Sequence, residues 1–382
     1  MRGRGIAGAA LVLICAVGAA AWGAQKPAKT PSKASSKAPA KAAAPAPPGP
    51  WLFPVQVGGK YGFIDREGRL AAAPQFDDAR PMVEGRARVK LSRRWGFVDE
   101  TGRVVAVPAF EEAGDFAQGL ARFEQGRRWG YLDRDGKIAV NPQFERAADF
   151  VEGLAAVRLG DQWGYVAPDG KLAVNPQFKD AGPFSGGLAA VRVGDRWGYI
   201  DRAGAFAVNP QFDEAGPFAE GLGRVRLGGL WGFVDRTGRL VVSPQFERAG
   251  DFAEGLAPVR SGDRWGFCDP QGRLAVAPQF DEAWGFAGGL ARVKSGGRIG
   301  FVDRAGKIAV NPQFDEAGDF RDGLARAAVG DRWGLIGRDG RFAVNPQFDE
   351  LGAFDHGLAL VKVDRMRGYI GRDGKYVYNP TK

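Results

Sequence analysis

A tryptophan–glycine pair returns every 34 residues along most of this chain, and that step constrains the fold more than any other feature. Trp95-Gly96 recurs at Trp129-Gly130, Trp163-Gly164, Trp197-Gly198, Trp231-Gly232, Trp265-Gly266 and Trp333-Gly334 without an insertion. The same step falls on Tyr61-Gly62, Ile299-Gly300 and Arg367-Gly368. Ten units therefore occupy residues 51–382. A fixed period of this length marks one supersecondary unit stacked on copies of itself, so that neighbours complete a core no unit holds alone.

Helical tetratricopeptide arrays share this period, and glycine and proline exclude them. The unit from Leu222 to Gly255 carries Gly223, Gly228, Gly229, Gly232, Gly238, Gly250 and Pro244. Two helices of a dozen residues do not fit between such breakers. Strands do. Residues 223–227 alternate, Gly228-Gly229 turns the chain, 230–234 forms a second run, and Asp235 to Gly238 suits a type I turn. Residues 239–243 form a third run that Pro244 is expected to halt, and a looser connector, 245–255, leads onward. The expected fold is all-β: three-stranded antiparallel meanders stacked as an open β-solenoid, with a closed propeller-like ring as the alternative. Three strands per unit, and no spare strand at either end to be shared, favour the open form.

Parity places Trp231 and Phe233 on one face of the middle strand and Gly232 on the other, where a backbone or ring has room to approach. The repeated tryptophans, Trp95, Trp129, Trp163, Trp197, Trp231, Trp265 and Trp333, are expected to be structural core. On that reading Trp197→Ala costs about 3–5 kcal/mol. Phe246 and Phe252 are spaced to fold back as plugs. Tyr61, Met82, Arg86 and Arg367, which break the pattern in the end units, read as polar caps. Val166-Ala167-Pro168 lacks the turn aspartate, so its hairpin is expected to be looser.

Residues 1–50 are of another kind. A basic start, Met1 to Arg4, precedes an apolar run from Ile6 to Trp22, the layout of a secretory signal peptide spanning 1–24. An uncleaved membrane anchor is the alternative. Residues 25–50 are almost wholly Ala, Lys, Pro, Ser and Thr, a composition that buries too little to order itself. Most of the formal charge of +9 lies here: Arg2, Arg4, Lys26, Lys29, Lys33, Lys37 and Lys41 have no acid beside them. The repeats are close to neutral, which argues against nucleic acid as a partner. Membrane contact is expected only through the leader or linker, and the protein is expected to be monomeric. Of two cysteines, Cys15 lies in the leader, and Cys268 occupies a slot filled elsewhere by Val234 and Val302, so it reads as a small buried hydrophobe.

The composite motif, Trp-Gly-[Phe/Tyr]-[Val/Ile]-Asp-Arg-x-Gly-[Lys/Arg] followed by Asn-Pro-Gln-Phe and Phe-x-x-Gly-Leu-Ala, resembles the bacterial WG-repeat family across residues 51–382. That resemblance implies an exported β-repeat protein with no established catalytic residues and unassigned partners. Ile299 and Arg367 depart from it by losing the aromatic.

Chemistry is sparse. A catalytic site gathers unlike residues once, whereas nearly every polar residue here recurs by period. His356 is the only histidine, so no metal cluster or Cys–His pair forms, and no cofactor, metal or catalytic residue is expected. Paired acids such as Asp213-Glu214 and Asp281-Glu282 recur as turn residues rather than as glycosidase carboxylates. One recurring feature suggests binding. Lys90, Arg158, Arg192, Arg226, Arg260, Lys294 and Lys362 share one register of the first strand, with Arg88, Arg122, Arg224, Arg292 and Arg326 two residues earlier. Equal parity puts them on one face as a cationic stripe, either neutralised by the acidic edge or free for an anionic polymer or acidic protein. The expected role is non-catalytic binding or scaffolding, secreted or periplasmic in a cell envelope, with a protein or envelope polysaccharide as partner. A purely structural spacer is the alternative.

Overall fold

The computed structural model describes residues 51–381; the expected leader and linker, with Cys15, lie outside the described residues. Every element among them is a strand. The strands form ten antiparallel sheets, one per period, and the sheets stand in a ring. The fold is a β-propeller, the closed alternative, and not the open solenoid.

One unit shows why. Its sheet runs Glu214–Ala219, Leu222–Leu227, Leu230–Val234, Leu240–Phe246 in spatial order. The meander is as expected, but the connector supplies a fourth strand. It is short in several units, only Arg248–Ala249 in the next sheet, and it needs few bonds. The Glu247 amide donates to Arg260 O at 3.0 Å and the Gly250 amide to Pro258 O at 2.8 Å. Glycine and acids made that stretch look loose, yet a strand two residues long tolerates both.

The first hairpin turns through Gly228 and Gly229 at φ +60° and +85°, the left-handed pair that a tight hairpin requires. In the second, Asp235 Oδ1 accepts from the amides of Thr237 and Arg239 while Gly238, at φ +81°, donates to Asp235 O. The hairpin without that aspartate is not looser: Ala167 and Gly170 close it with the same backbone bonds, each 2.9 Å.

Pro244 does not halt the last strand. Trp231 lies opposite Phe246 while Phe233 lies opposite Val242, so two residues of one strand face four of the other. This bulge accommodates a residue with no amide hydrogen. Beneath it sits Gly232, where a Cβ would stand 2.4 Å from Val242 O. The glycine of each pair thus makes room for a bulge in its own sheet rather than for a neighbouring unit.

The cores lie between sheets. Phe233, Val242 and Phe246 of one sheet pack on Ala249, Phe252, Ala257, Val259 and Cys268 of the next. The connector phenylalanine is set edge-on or tilted against the preceding sheet's ring in seven successive interfaces, from Phe97–Phe116 through Tyr199–Phe218 to Phe301–Phe320, at 4.7–5.1 Å between centroids. Cys268 is fully buried, as expected, and burial pushes its thiol up to about 12.

The tryptophans sit differently from expectation. Trp95 is buried, but Trp129, Trp163, Trp197, Trp231, Trp265 and Trp333 are half-buried at the rims of these clusters. Each stands beside the first hairpin; the residue two positions on, toward the second hairpin, is the one enclosed. Phe233→Ala is therefore expected to cost about 3–5 kcal/mol and Trp231→Ala clearly less, read from midpoints in chemical denaturation.

Acid should weaken the turns. Thr237 Oγ1, Arg239 and two amides donate to Asp235 and hold its carboxyl at about 2. An unfolded aspartate titrates near ~3.9, so the contribution is complete above that value and lost as pH falls toward about 2. Stability measured across this window should decline less steeply in Asp235→Asn.

Candidate functional site

Most periodic polar residues bind one sheet to the next. Arg122, Arg224 and Arg292, from the earlier register of the expected stripe, direct Nη1 to the carbonyls of Ala147, Ala249 and Ala317 at 2.9–3.0 Å. Their Nε atoms lie 2.6–2.9 Å from Asp149, Asp251 and Asp319. In the other register, Arg226 pairs with Glu214 at 2.6 Å, Lys294 with Glu282 at 3.2 Å, and Arg158 with Glu145 at 3.7 Å. Arg192 lies opposite Asp180. The acidic edge thus neutralises most of the stripe; among the described residues Arg192 and Arg260 form no ion pair, and Arg158 and Arg260 each face an arginine, Arg146 and Arg248.

Sequence reasoning missed a second clasp. Glu152 accepts from the amides of Gly186 and Gly187 in the next sheet at 2.7 and 2.8 Å, and Glu84 does the same for Gln118 and Gly119. Burial would raise the Glu84 carboxyl, but those amides and Arg134 outweigh it and hold it below its usual value. The signal was the acid recurring before the glycine of Phe-x-x-Gly.

The ring closes where the first sheet meets the last. Phe53, Val55 and Ile64 pack on Leu358 and Tyr369, the counterparts by period of Ala257, Val259 and Cys268 on Leu222 and Phe233. Polar contacts follow the same count. Arg338 reaches Gly288 O, 50 residues back; Arg66 Nε reaches His356 O at 2.9 Å, 290 residues along the chain, which is the same reach wrapped once round ten periods. Tyr61 and Arg367 are not polar caps, since Arg367 Nη1 donates to Tyr61 Oη at 2.6 Å across the seam. Met82 is buried, and Arg86 bonds Arg134 O. His356, on the surface as expected, stacks on Trp51.

This interface is incomplete among the described residues. The positions matching Phe246, Ala249 and Phe252 fall on Lys382, Pro45 and Pro48, outside the described residues. A cavity of about 740 Å³ lies there, lined by Phe53, Pro54, Leu358, Leu360, Tyr369 and Arg367 among others. The first sheet has three described strands, so Phe53–Val57 has a neighbour on one side only. Its outward carbonyls are met by side chains: Tyr369 Oη donates to Pro54 O at 2.9 Å and Thr381 Oγ1 to Gln56 O at 2.8 Å. In an interior sheet the equivalent Tyr199 hydroxyl bonds the connector carbonyl of Gly216 instead, at 2.9 Å.

Nine consecutive matches to the WG containing repeat model, from 61–92 and 95–128 through to 333–365, cover most of the chain. The chain belongs to the WG-containing repeat family. No curated protein matches the sequence. Among solved structures, a eukaryotic initiation factor is similar at 12% identity over 77% of this chain and 95% of its own, with a TM-score of 0.52; that likeness shows the fold alone. Hsv2p of Kluyveromyces lactis aligns at 11% identity over 59% of this chain and 91% of its own, with a TM-score of 0.36, too low to carry an argument.

In this WG-repeat protein the seam gathers unlike residues once, and no single period of the sequence displays it. Burial pushes the Tyr369 hydroxyl well above its usual value, so it stays protonated and donates. Tyr369→Phe is expected to lower stability by about 1 kcal/mol and to speed proteolysis near the seam, as limited digestion would show.

Proposed function

We propose that this protein is an exported, non-catalytic binding and scaffolding ring of a cell envelope, and that a polypeptide partner docks at the seam cavity. The observation that carries the reading is the one interface whose apolar cluster is unfinished among the described residues while nine others follow a common plan. An extended segment adding to Phe53–Val57 would take over Pro54 O and Gln56 O from the Tyr369 and Thr381 hydroxyls and meet an apolar pocket beside Tyr369. Pro54 is no obstacle: at the matching register the Gly250 amide donates to Pro258 O. Export and envelope location are supported by the basic start and apolar run of residues 1–24. The bacterial setting rests on the family resemblance.

The test is fractionation of expressing cells, then co-sedimentation of the full chain with envelope material in low and high salt. Leu360→Arg fills the cavity with the residue found at Arg326 one unit earlier, so the fold is expected to persist. Envelope retention lost in this variant, with an unchanged melt, supports the seam. Equal retention of both proteins removes the seam from partner binding. A chain that stays in the cytoplasm overturns the envelope reading.

A further inference from the structure

Three departures from the repeat converge at one place on the ring. Pro258 stands where other units have Arg88, Arg122, Arg224, Arg292 and Arg326. Trp284 stands where they have Gly114, Gly182, Gly216, Gly250 and Gly318. Arg248, like Arg146 three units earlier, replaces an acid, as at Glu214, Glu282, Glu316 and Glu350.

Each departure changes a contact that is otherwise periodic. The arginine lost at Pro258 is the one that covers the tryptophan elsewhere, 5.3 Å from the ring centre for Arg88 over Trp95 and 5.5 Å for Arg224 over Trp231. Among the described residues no guanidinium lies over Trp265. Trp231, Trp265 and Trp284 line a single open trench of about 560 Å³, with Arg248 at its side. Arg248 stands directly opposite Arg260, whose other cross-strand neighbour is Trp265.

Like charges facing each other across a ladder are destabilising, and neither arginine forms an ion pair among the described residues. Arg260 Nε is buried with no hydrogen-bond partner. The nearest acids are committed: Glu247 accepts the Gly262 amide at 3.0 Å, and Asp251 lies 2.9 Å from Arg224 Nε. The trench therefore combines broad aromatic surfaces with Arg248, which forms no ion pair among the described residues.

We propose that this trench binds an acidic oligosaccharide, with sugar rings laid on the tryptophans and a carboxylate held by Arg248. The apolar C–H faces of a pyranose match the flat indoles, and Arg forks suit a carboxylate. Arg224 and Arg292 lie over one face of Trp231 and Trp284, 5.5 and 4.7 Å from the ring centres, and three indoles around one trench favour sugar rings over the side chains of an acidic peptide. The site is separate from the seam.

The experiment titrates the full chain with tetragalacturonate, followed by calorimetry and tryptophan fluorescence. A neutral tetrasaccharide and tetraglutamate serve as the other arms. Trp284→Gly, Pro258→Arg and Arg248→Glu each restore the residue of most units, so folding is expected to persist, and an unchanged melt checks it. Expected are saturable binding of the acidic sugar with a fluorescence change, weakening with salt, and losses of about tenfold or more in each variant. Leu360→Arg should bind as the parent does. No saturable binding, or variants that bind like the parent, overturns the proposal. Equal affinity for the neutral sugar removes Arg248 from the site. Equal affinity for tetraglutamate, with the same losses, makes it an acidic-peptide site instead.

Discussion

Everything in this ring depends on one aromatic contact: a connector phenylalanine set against the ring at the heart of the preceding sheet, as Phe218 is against Tyr199. A sheet has two faces, and here each serves a different neighbour. The Phe233 face closes one core, and the Val259 face of the following sheet completes it. No unit buries both faces alone. An open array would leave Phe53, Val55 and Ile64 uncovered at one end and Leu358 and Tyr369 at the other. Closure brings those surfaces together and removes the exposed apolar area, which is the physical reason the ring prevails over the solenoid.

Much of this was legible in the sequence, and what was not has a common cause. Period, strand parity, the two turns and the burial of Cys268 all follow from local rules about which residues alternate or accept positive φ. Closure follows from none of them. It is a property of the tenth interface, which joins residues about 300 positions apart, such as Arg66 with His356 and Tyr369 with Pro54. The connector strand was missed because its pairing rests on isolated backbone bonds rather than on a hydrophobic alternation. The tryptophans were overrated as core because residue size indicates what is worth burying but not which of two like-facing residues the neighbouring sheet covers.

The polar residues divide along the same line. Those that repeat are struts: Arg224 and Glu152 each fasten one sheet to the next through backbone atoms that every unit possesses. Such bonds are indifferent to most side chains, which is why they survive ten variations on one sequence. A periodic charge here is first a structural element, and a cationic stripe read from parity alone overstates what is free to bind. The seam departs from this because Tyr61 and Arg367 replace two tryptophans at once and bond each other.

A ring held at ten similar interfaces can tolerate local loss at one of them. Substituting Pro258 for the covering arginine gives up a cation–π contact worth about 0.5–1 kcal/mol at an exposed site. Setting Arg248 opposite Arg260 adds a comparable repulsion. Neither threatens a fold secured by the buried rings of Phe233 and Phe267 on either side. In an array where nearly every polar residue agrees with its counterparts, the two conflicts side by side have no structural return, whereas the added Trp284 also packs against the next core and under Arg292. Local rules broken together without a gain in packing are where a repeat protein has room for a ligand.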